Sequence, residues 1–279
     1  MKTSMNLLLW STHVTSEHFP IIAKLKQTGF DGVEVPIFEG DAEHFKSIGA
    51  ELKNQELGCT AVTVATEDAN PISPDAAIRA KALDRLKWAI EMTHHIGGEL
   101  LCGPYHSPLA VFSGTGPTED EKQRAADILR QAADIAAAAN VKLGIEYLNR
   151  FECYFLTTAA DAKALVDRVG HPNFGTMYDT FHGNIEEKSH AGAIAGLGSA
   201  MFHFHVSECD RGTPGTGQVH WDEVFQALKD ANYDGWLTIE AFGRSLPDLA
   251  AATKVWRDLF PNPEEVYTKG LQLIKEMWA

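Results

Sequence analysis

Short apolar runs alternate with longer amphipathic segments from one end of this chain to the other, and this alternation is what most limits its fold. The apolar runs predict strands at 5–10, 32–38, 59–65, 99–104, 141–146, 174–179, 200–205 and 235–240. Between them, helical periodicity predicts helices at 17–28, 41–56, 75–96, 119–139, 158–169, 188–197, 221–231 and 247–259, with a further one at 263–277. Gly29, Gly58 and the Gly97-Gly98 pair fall where helices should stop. Strands separated by helices pair in parallel. Eight such units in 279 residues fit an α/β fold of the (β/α)8 TIM barrel type, with a doubly wound sheet as the competing architecture. No Ser/Pro-rich linker, low-complexity tract or shift of composition divides the chain, so 1–279 reads as a single barrel domain with an extra C-terminal helix.

A hydrophobic content of 44% and a charged content of 22% describe a chain able to bury a large core. The 38 acidic residues outnumber the 24 basic ones and give a net charge of −14, which argues against nucleic acid or an anionic membrane as partner. Cys59, Cys102, Cys153 and Cys209 are widely spaced and signal neither a disulfide framework nor a thiolate zinc site. "MKTSMNLLLW" is too short an apolar run for a signal peptide, and no segment approaches the ~18 apolar residues of a membrane helix. The expectation is a cytoplasmic enzyme.

"GIEYLNRFE" (144–152) sets an apolar strand directly against acidic residues, and ionised carboxylates are rarely buried without a partner. The same pattern recurs. Glu146 ends the fifth predicted strand, Asp179 the sixth, His205 the seventh and Glu240 the eighth. In a barrel these positions converge on the C-terminal rim, where barrel active sites form. Any one of them alone would pass for the first polar residue after a strand; four in succession, all of metal-ligand type, point to a shared cation. Three carboxylates and an imidazole suit a harder ion such as Mn²⁺, Co²⁺ or Mg²⁺.

"EYLNRFE", "DTFHGNIEE", "HFHVSECDRG", "IEAFG" and "VWRDL" together resemble the ketose 3-epimerases, the group acting on D-tagatose, D-psicose (allulose) and L-ribulose within the xylose-isomerase-like superfamily. The resemblance runs over essentially the whole chain and is densest from 144 to 258. It implies that Glu146, Asp179, His205 and Glu240 hold a Mn²⁺-type ion and that Glu146 and Glu240 are also the two acid/base groups. Glu152, His182 and Arg211 match the positions that hydrogen-bond the C1–C3 end of the ketose. Epimerisation at C3 needs a proton removed beside a carbonyl and one returned from the other face, through a cis-enediolate. The resemblance further implies a dimer or tetramer.

Other positions carry two readings each. His203 shares a strand face with His205 and reads as a hydrogen-bonded core histidine beneath the site. Glu208 either orients His205 or forms a loop salt bridge; Glu34 either faces the barrel mouth or finds a polar partner in the rim layer. Asn149 and Arg150 shape the loop, where Arg150 is also a possible partner of Glu152. Trp10, His13, His106, Phe112 and Phe242 follow strands where they can wall a sugar pocket, Phe242 foremost. "VSEC" and the stretch 103–118 depart from the familiar pattern, so substrate selectivity is where the resemblance informs least.

The nearest alternative is an aldose–ketose or hydroxypyruvate-type isomerase using the same metal barrel. A phosphodiesterase of the endonuclease IV type would need more histidines and a basic groove. A non-catalytic sugar-binding relative would be expected to lack Glu146 or Glu240, and both are present. No Lys/Arg cluster marks a phosphate site, which favours free sugars.

Overall fold

The computed structural model describes residues 1–279. Eight parallel strands close into a barrel in the order in which they occur along the chain. The first half runs β1 (Lys2–Asn6), α1 (Phe19–Thr28), β2 (Gly32–Pro36), α2 (Ala42–Asn54), β3 (Gly58–Val62), α3 (Ala76–His95), β4 (Leu100–Gly103) and α4 (Glu119–Ala138). It continues with β5 (Lys142–Ile145), α5 (Ala159–Val169), β6 (Phe174–Asp179), α6 (Thr180–Glu186), α7 (His190–Leu197) and β7 (Met201–Val206). The chain closes with α8 (Trp221–Asp230), β8 (Trp236–Ile239), α9 (Pro247–Thr253) and α10 (Pro263–Trp278). β8 pairs with β1, so no strand edge is left open.

Local chemistry accounts for the helix ends. Asp41, Thr118, Thr158 and Asn262 each accept a hydrogen bond from a backbone N–H of the helix they precede. Thr118 and Glu121 complete a capping box. Gly29 and Gly170 end α1 and α5 in the left-handed conformation that glycine adopts without a side-chain clash. The helices turn Leu, Ile and Ala faces onto the barrel, and α10 buries Val266, Leu271 and Ile274 in the same core.

Three elements depart most from the sequence reading. The first strand is Lys2–Asn6, and Leu7–Leu9 form a 3-10 turn whose three leucines are all buried. The helix expected at 188–197 is α7, and a second helix, α6, precedes it, begun by Asp179 capping Phe181. The helix expected at 247–259 ends at Thr253, where Lys254 takes a left-handed conformation. The barrel interior also contains polar residues: Ser4, Glu34, Thr60, His203 and Thr238 are all fully buried.

Candidate active site

Strand pairing brings the four strand-end residues to one rim. A register shift between Thr176 and Met177 lets β6 and β7 realign, so that Asp179 lies directly across from His205. Glu146 and Glu240 follow β5 and β8 by one residue, each still tied by its backbone N–H to the neighbouring strand at Gly103 and Val206. All four side chains are buried.

His205 Nδ1 stands 3.5 Å from Asp179 Oδ2 and 3.4 Å from Glu240 Oε1. That nitrogen is buried and has no hydrogen-bond partner. Ligand atoms around a small divalent cation lie ~3 Å apart, so Asp179, His205 and Glu240 fit such an ion. Glu146 belongs to an overlapping cluster with Asp179 and His182. Burial works against a charged His205, yet Glu34, Glu240 and Asp179 outweigh it and raise its pKa well above the ordinary value. The surroundings of Nδ1 favour positive charge.

Arg211 supplies positive charge from the side. Its Nη1 lies 2.7 Å from Glu240 Oε2 and 3.2 Å from Asp179 Oδ2. The guanidinium is stacked 3.8 Å above the Phe181 ring, with Phe242 at 5.0 Å. Arg211 holds a left-handed backbone, φ 67°, the kind of local strain that collects at functional sites. Burial acts to raise the Asp179 carboxyl, but Arg211 beside it prevails and holds it low. Glu146 goes the other way: burial first, then the nearby Glu240 carboxylate, push its pKa well above the usual carboxyl range. Glu152, buried and accepting from Asn149 Nδ2 at 3.0 Å, is raised mainly by burial.

His182 fixes the direction of one proton. Its Nδ1 accepts from the backbone N–H of Asn149 at 2.9 Å, and burial, then Arg211, hold the ring neutral with a pKa of about 3. The ring proton therefore sits on Nε2, 3.6 Å from Glu146 Oε1. Arg211 Nη2 is 3.0 Å from the same Nε2. The guanidinium and the ring thus meet at one end of the site, between the Glu146 and Glu240 carboxylates.

These groups open into a cleft of about 550 Å³, its open mouth included. Glu146, Glu152, His182, Arg211 and Glu240 line one end, and Leu8, Phe38, Val62, Leu109 and Phe242 are among the apolar residues of the rest. Of the five aromatic and histidine residues considered as walls, Phe242 alone lines the cleft; Phe112 points half-exposed to solvent. Arg150 pairs with Glu186 rather than Glu152. Glu208 neither orients His205 nor forms a salt bridge. It accepts from the N–H groups of Cys209, Gly215, Val219 and Trp221 and so shapes the loop that carries Arg211.

The residue touching His205 Nε2 is Glu34, at 2.9 Å, and His203 bonds the other oxygen of the same carboxylate at 2.8 Å. The sequence reading missed Asn6, whose Nδ2 bonds both Glu34 and Glu240. The apolar word "MNLLLW" hid it inside a predicted strand instead of at a strand end.

The family model of the xylose isomerase-like TIM barrel matches residues 22–277. The D-psicose 3-epimerase of Agrobacterium fabrum is 33% identical over 264 residues, 93% of this chain and 91% of that one. The L-ribulose 3-epimerase of Methylomonas sp. is 30% identical over 265 residues, 92% of this chain and 90% of that one. Among solved structures, the D-allulose 3-epimerase from Methylomonas sp. in complex with D-allulose matches with a TM-score of 0.93 at 27% identity, covering 99% of this chain and 97% of that one. By sequence and by fold, this chain belongs to the ketose 3-epimerases of the xylose isomerase-like TIM barrel family.

Proposed function

We propose that the protein is a divalent-metal-dependent ketose 3-epimerase acting on free ketohexoses or ketopentoses. The observation that carries this reading is the meeting of Glu146 and Glu240, two buried carboxylates from separate strands, in one cleft with a cation-fitting cluster. Asp179, His205, Glu240 and Glu146 would hold the ion, and Mn²⁺ suits three carboxylates and one imidazole, with Co²⁺ or Mg²⁺ as substitutes. When bound, a divalent cation supplies Lewis acidity that stabilises negative charge on the substrate oxygens.

The chain's own residues account for the proton transfers. Glu146, whose pKa is raised, takes the C3 proton in one direction, and Glu240 returns a proton to the other face; in reverse the two exchange roles. His182 Nε2–H and Arg211 Nη2–H donate to the substrate oxygen that enters between them, where charge develops in the enediolate. Glu152 holds or accepts a hydroxyl proton. Apolar walls such as Leu8, Phe38 and Val62 exclude water from the reacting end. Arg211 is the one cationic side chain lining the cleft and is already engaged by carboxylates, which supports free rather than phosphorylated sugars.

Reaction in D₂O tests the chemistry. A carboxylate at the cleft exchanges its proton with solvent, so deuterium should appear at C3 of the product with little at C1. An aldose–ketose or hydroxypyruvate-type isomerase would label C1 or C2, or leave the product unlabelled by hydride shift. Product without deuterium at C3 would rule out the two-carboxylate mechanism.

The remaining features of the reading are a cytoplasmic protein, no nucleic-acid or membrane partner, and a homo-oligomer. No helix is long and apolar enough to cross a membrane. Phe151 and Trp256, 71% and 70% exposed, line one depression beside Arg211 and support association into the expected dimer or tetramer.

A further inference from the structure

Beneath the ligand cluster lies a second polar layer that the proposed chemistry does not use. Glu34 rises from β2 with no exposure to solvent. Its Oε1 is 2.9 Å from His205 Nε2 and 3.0 Å from Asn6 Nδ2. Its Oε2 is 2.8 Å from His203 Nε2, 2.9 Å from Thr60 Oγ1 and 3.2 Å from Cys102 Sγ. Every one of these neighbours can donate, which is how a carboxylate survives complete burial. Asn6 uses its amide fully: Nδ2 also reaches Glu240 Oε1 at 2.9 Å, and Oδ1 accepts from the Leu8 N–H. One carboxylate and one amide therefore touch two of the residues read as metal ligands.

We propose that Glu34 and Asn6 are positioning residues: Glu34 holds the Nε2–H of His205 in either charge state of the ring, so that the nitrogen offered to a cation is Nδ1, facing Asp179 and Glu240, while Asn6 ties Glu240 Oε1 to the same anchor. The alternative tautomer would set a bare Nε2 lone pair against a carboxylate oxygen at 2.9 Å, acceptor against acceptor. A partner of this kind on the far nitrogen orients an imidazole and raises its basicity as a ligand. The neutral isostere cannot do the same work. In Glu34→Gln one oxygen becomes an NH₂ that must meet either His205, or the three donors His203, Thr60 and Cys102.

The metal half of this proposal rests on the reading of Asp179, His205 and Glu240 as ligands; the tautomer half does not. Imidazole ¹⁵N NMR on the wild type, metal-free and loaded with diamagnetic Mg²⁺, reads the tautomer without any variant. His205 should carry a proton on Nε2 in both states and none on Nδ1 once Mg²⁺ is bound. An unprotonated Nε2 overturns the assignment. Calorimetric titration of metal-free protein with Mn²⁺ reads the second half: Glu34→Gln should weaken binding ten- to a hundred-fold, and Asn6→Ala by a smaller factor. His203→Asn removes a donor from the other oxygen, so it should lower the melting temperature while leaving Mn²⁺ affinity near wild type. Wild-type affinity in both Glu34→Gln and Asn6→Ala overturns the positioning role. If Glu34→Gln does not fold, Asn6→Ala and the wild-type spectrum decide alone. Loss of Mn²⁺ binding in Asp179→Ala, run alongside, separates failure of this proposal from failure of the ligand assignment.

Discussion

Arg211 Nη1 lies 2.7 Å from Glu240 Oε2, so the guanidinium and the proposed metal-ligand cluster share a carboxylate. Removing the guanidinium leaves Glu240 and Asp179 buried together without that cation, and breaking a buried pair costs about 3–5 kcal/mol. Arg211→Ala should therefore melt lower than wild type in chelator, and Mn²⁺ should recover much of the loss. Because the side chain is also proposed to donate to a substrate oxygen, kcat/KM should fall roughly a hundred-fold even with Mn²⁺ present. Equal melting temperatures in chelator would show that Arg211 does not hold the metal-free cluster together.

The ligand set is open to direct analysis. Asp179→Ala and His205→Ala each remove a proposed ligand atom and should lose bound metal after dialysis, as read by elemental analysis. Wild-type protein should melt lower in chelator than in Mn²⁺; a ligand at a hundred times its Kd adds about 2.7 kcal/mol to the folded state. Full metal occupancy in both variants would refute the site.

Glu146→Gln and Glu240→Gln preserve shape and remove the base. Each should lower epimerisation by orders of magnitude in both directions, measured by chromatography of the ketose mixture. Since the raised pKa of Glu146 comes from burial and from Glu240, a fast Glu146→Gln variant would mean that this carboxyl moves no proton.

What the sequence makes legible follows from periodicity. Strands buried on both faces are apolar runs, and helices over a barrel are amphipathic, so the alternation reads directly as a (β/α)8 barrel. Glu146, Asp179, His205 and Glu240 stand out because each breaks an apolar run at its end. Glu34 breaks a run in its middle, and nothing local says that its partners are Asn6, His203 and His205, which strand closure alone supplies. β1 was misplaced because Leu7, Leu8 and Leu9 are as buried in a 3-10 turn as they would be in a strand. α6 was missed because Thr180–Glu186 is short and carries Gly183 packed against Tyr178, so propensity alone does not announce it. Glu208 looked like half of an ion pair; its partners are four N–H groups from a loop whose path the sequence does not reveal.

The exposed pair Phe151 and Trp256 makes the oligomer testable. Two large rings on one depression are expected to be covered in solution by a second copy. Light scattering on wild type should give at least twice the 30.6 kDa of the chain, and Trp256→Glu should shift the population toward monomer. A monomeric wild type at micromolar concentration would discard this interface.

Buried histidines make the protein lose stability in acid. His106 is buried, its Nδ1 lies 2.8 Å from Ser107 Oγ, and burial drives its pKa from 6.5 down to about 3. The folded protein thus keeps this ring neutral, whereas the unfolded chain protonates it near pH 6.5. Above that pH neither state binds the proton and the residue contributes nothing to the pH dependence. As pH falls from 6.5 toward about 3 the unfolded state gains a proton that the folded state refuses, so stability is lost throughout this window. The loss between pH 6.5 and 5.5 is about 1 kcal/mol, and below that the slope approaches one proton, about 1.4 kcal/mol per pH unit. His182, also held to about 3, adds a second share of the same sign. His106→Asn removes one titrating ring while keeping a polar side chain. Urea unfolding between pH 7.5 and 4.5, in chelator so that metal does not enter, should give a stability curve whose acid limb is shallower by about one proton. The absolute stability of the variant is free to differ; the slope decides. An acid limb as steep as that of wild type would mean that His106 titrates in the folded state much as it does in the unfolded chain.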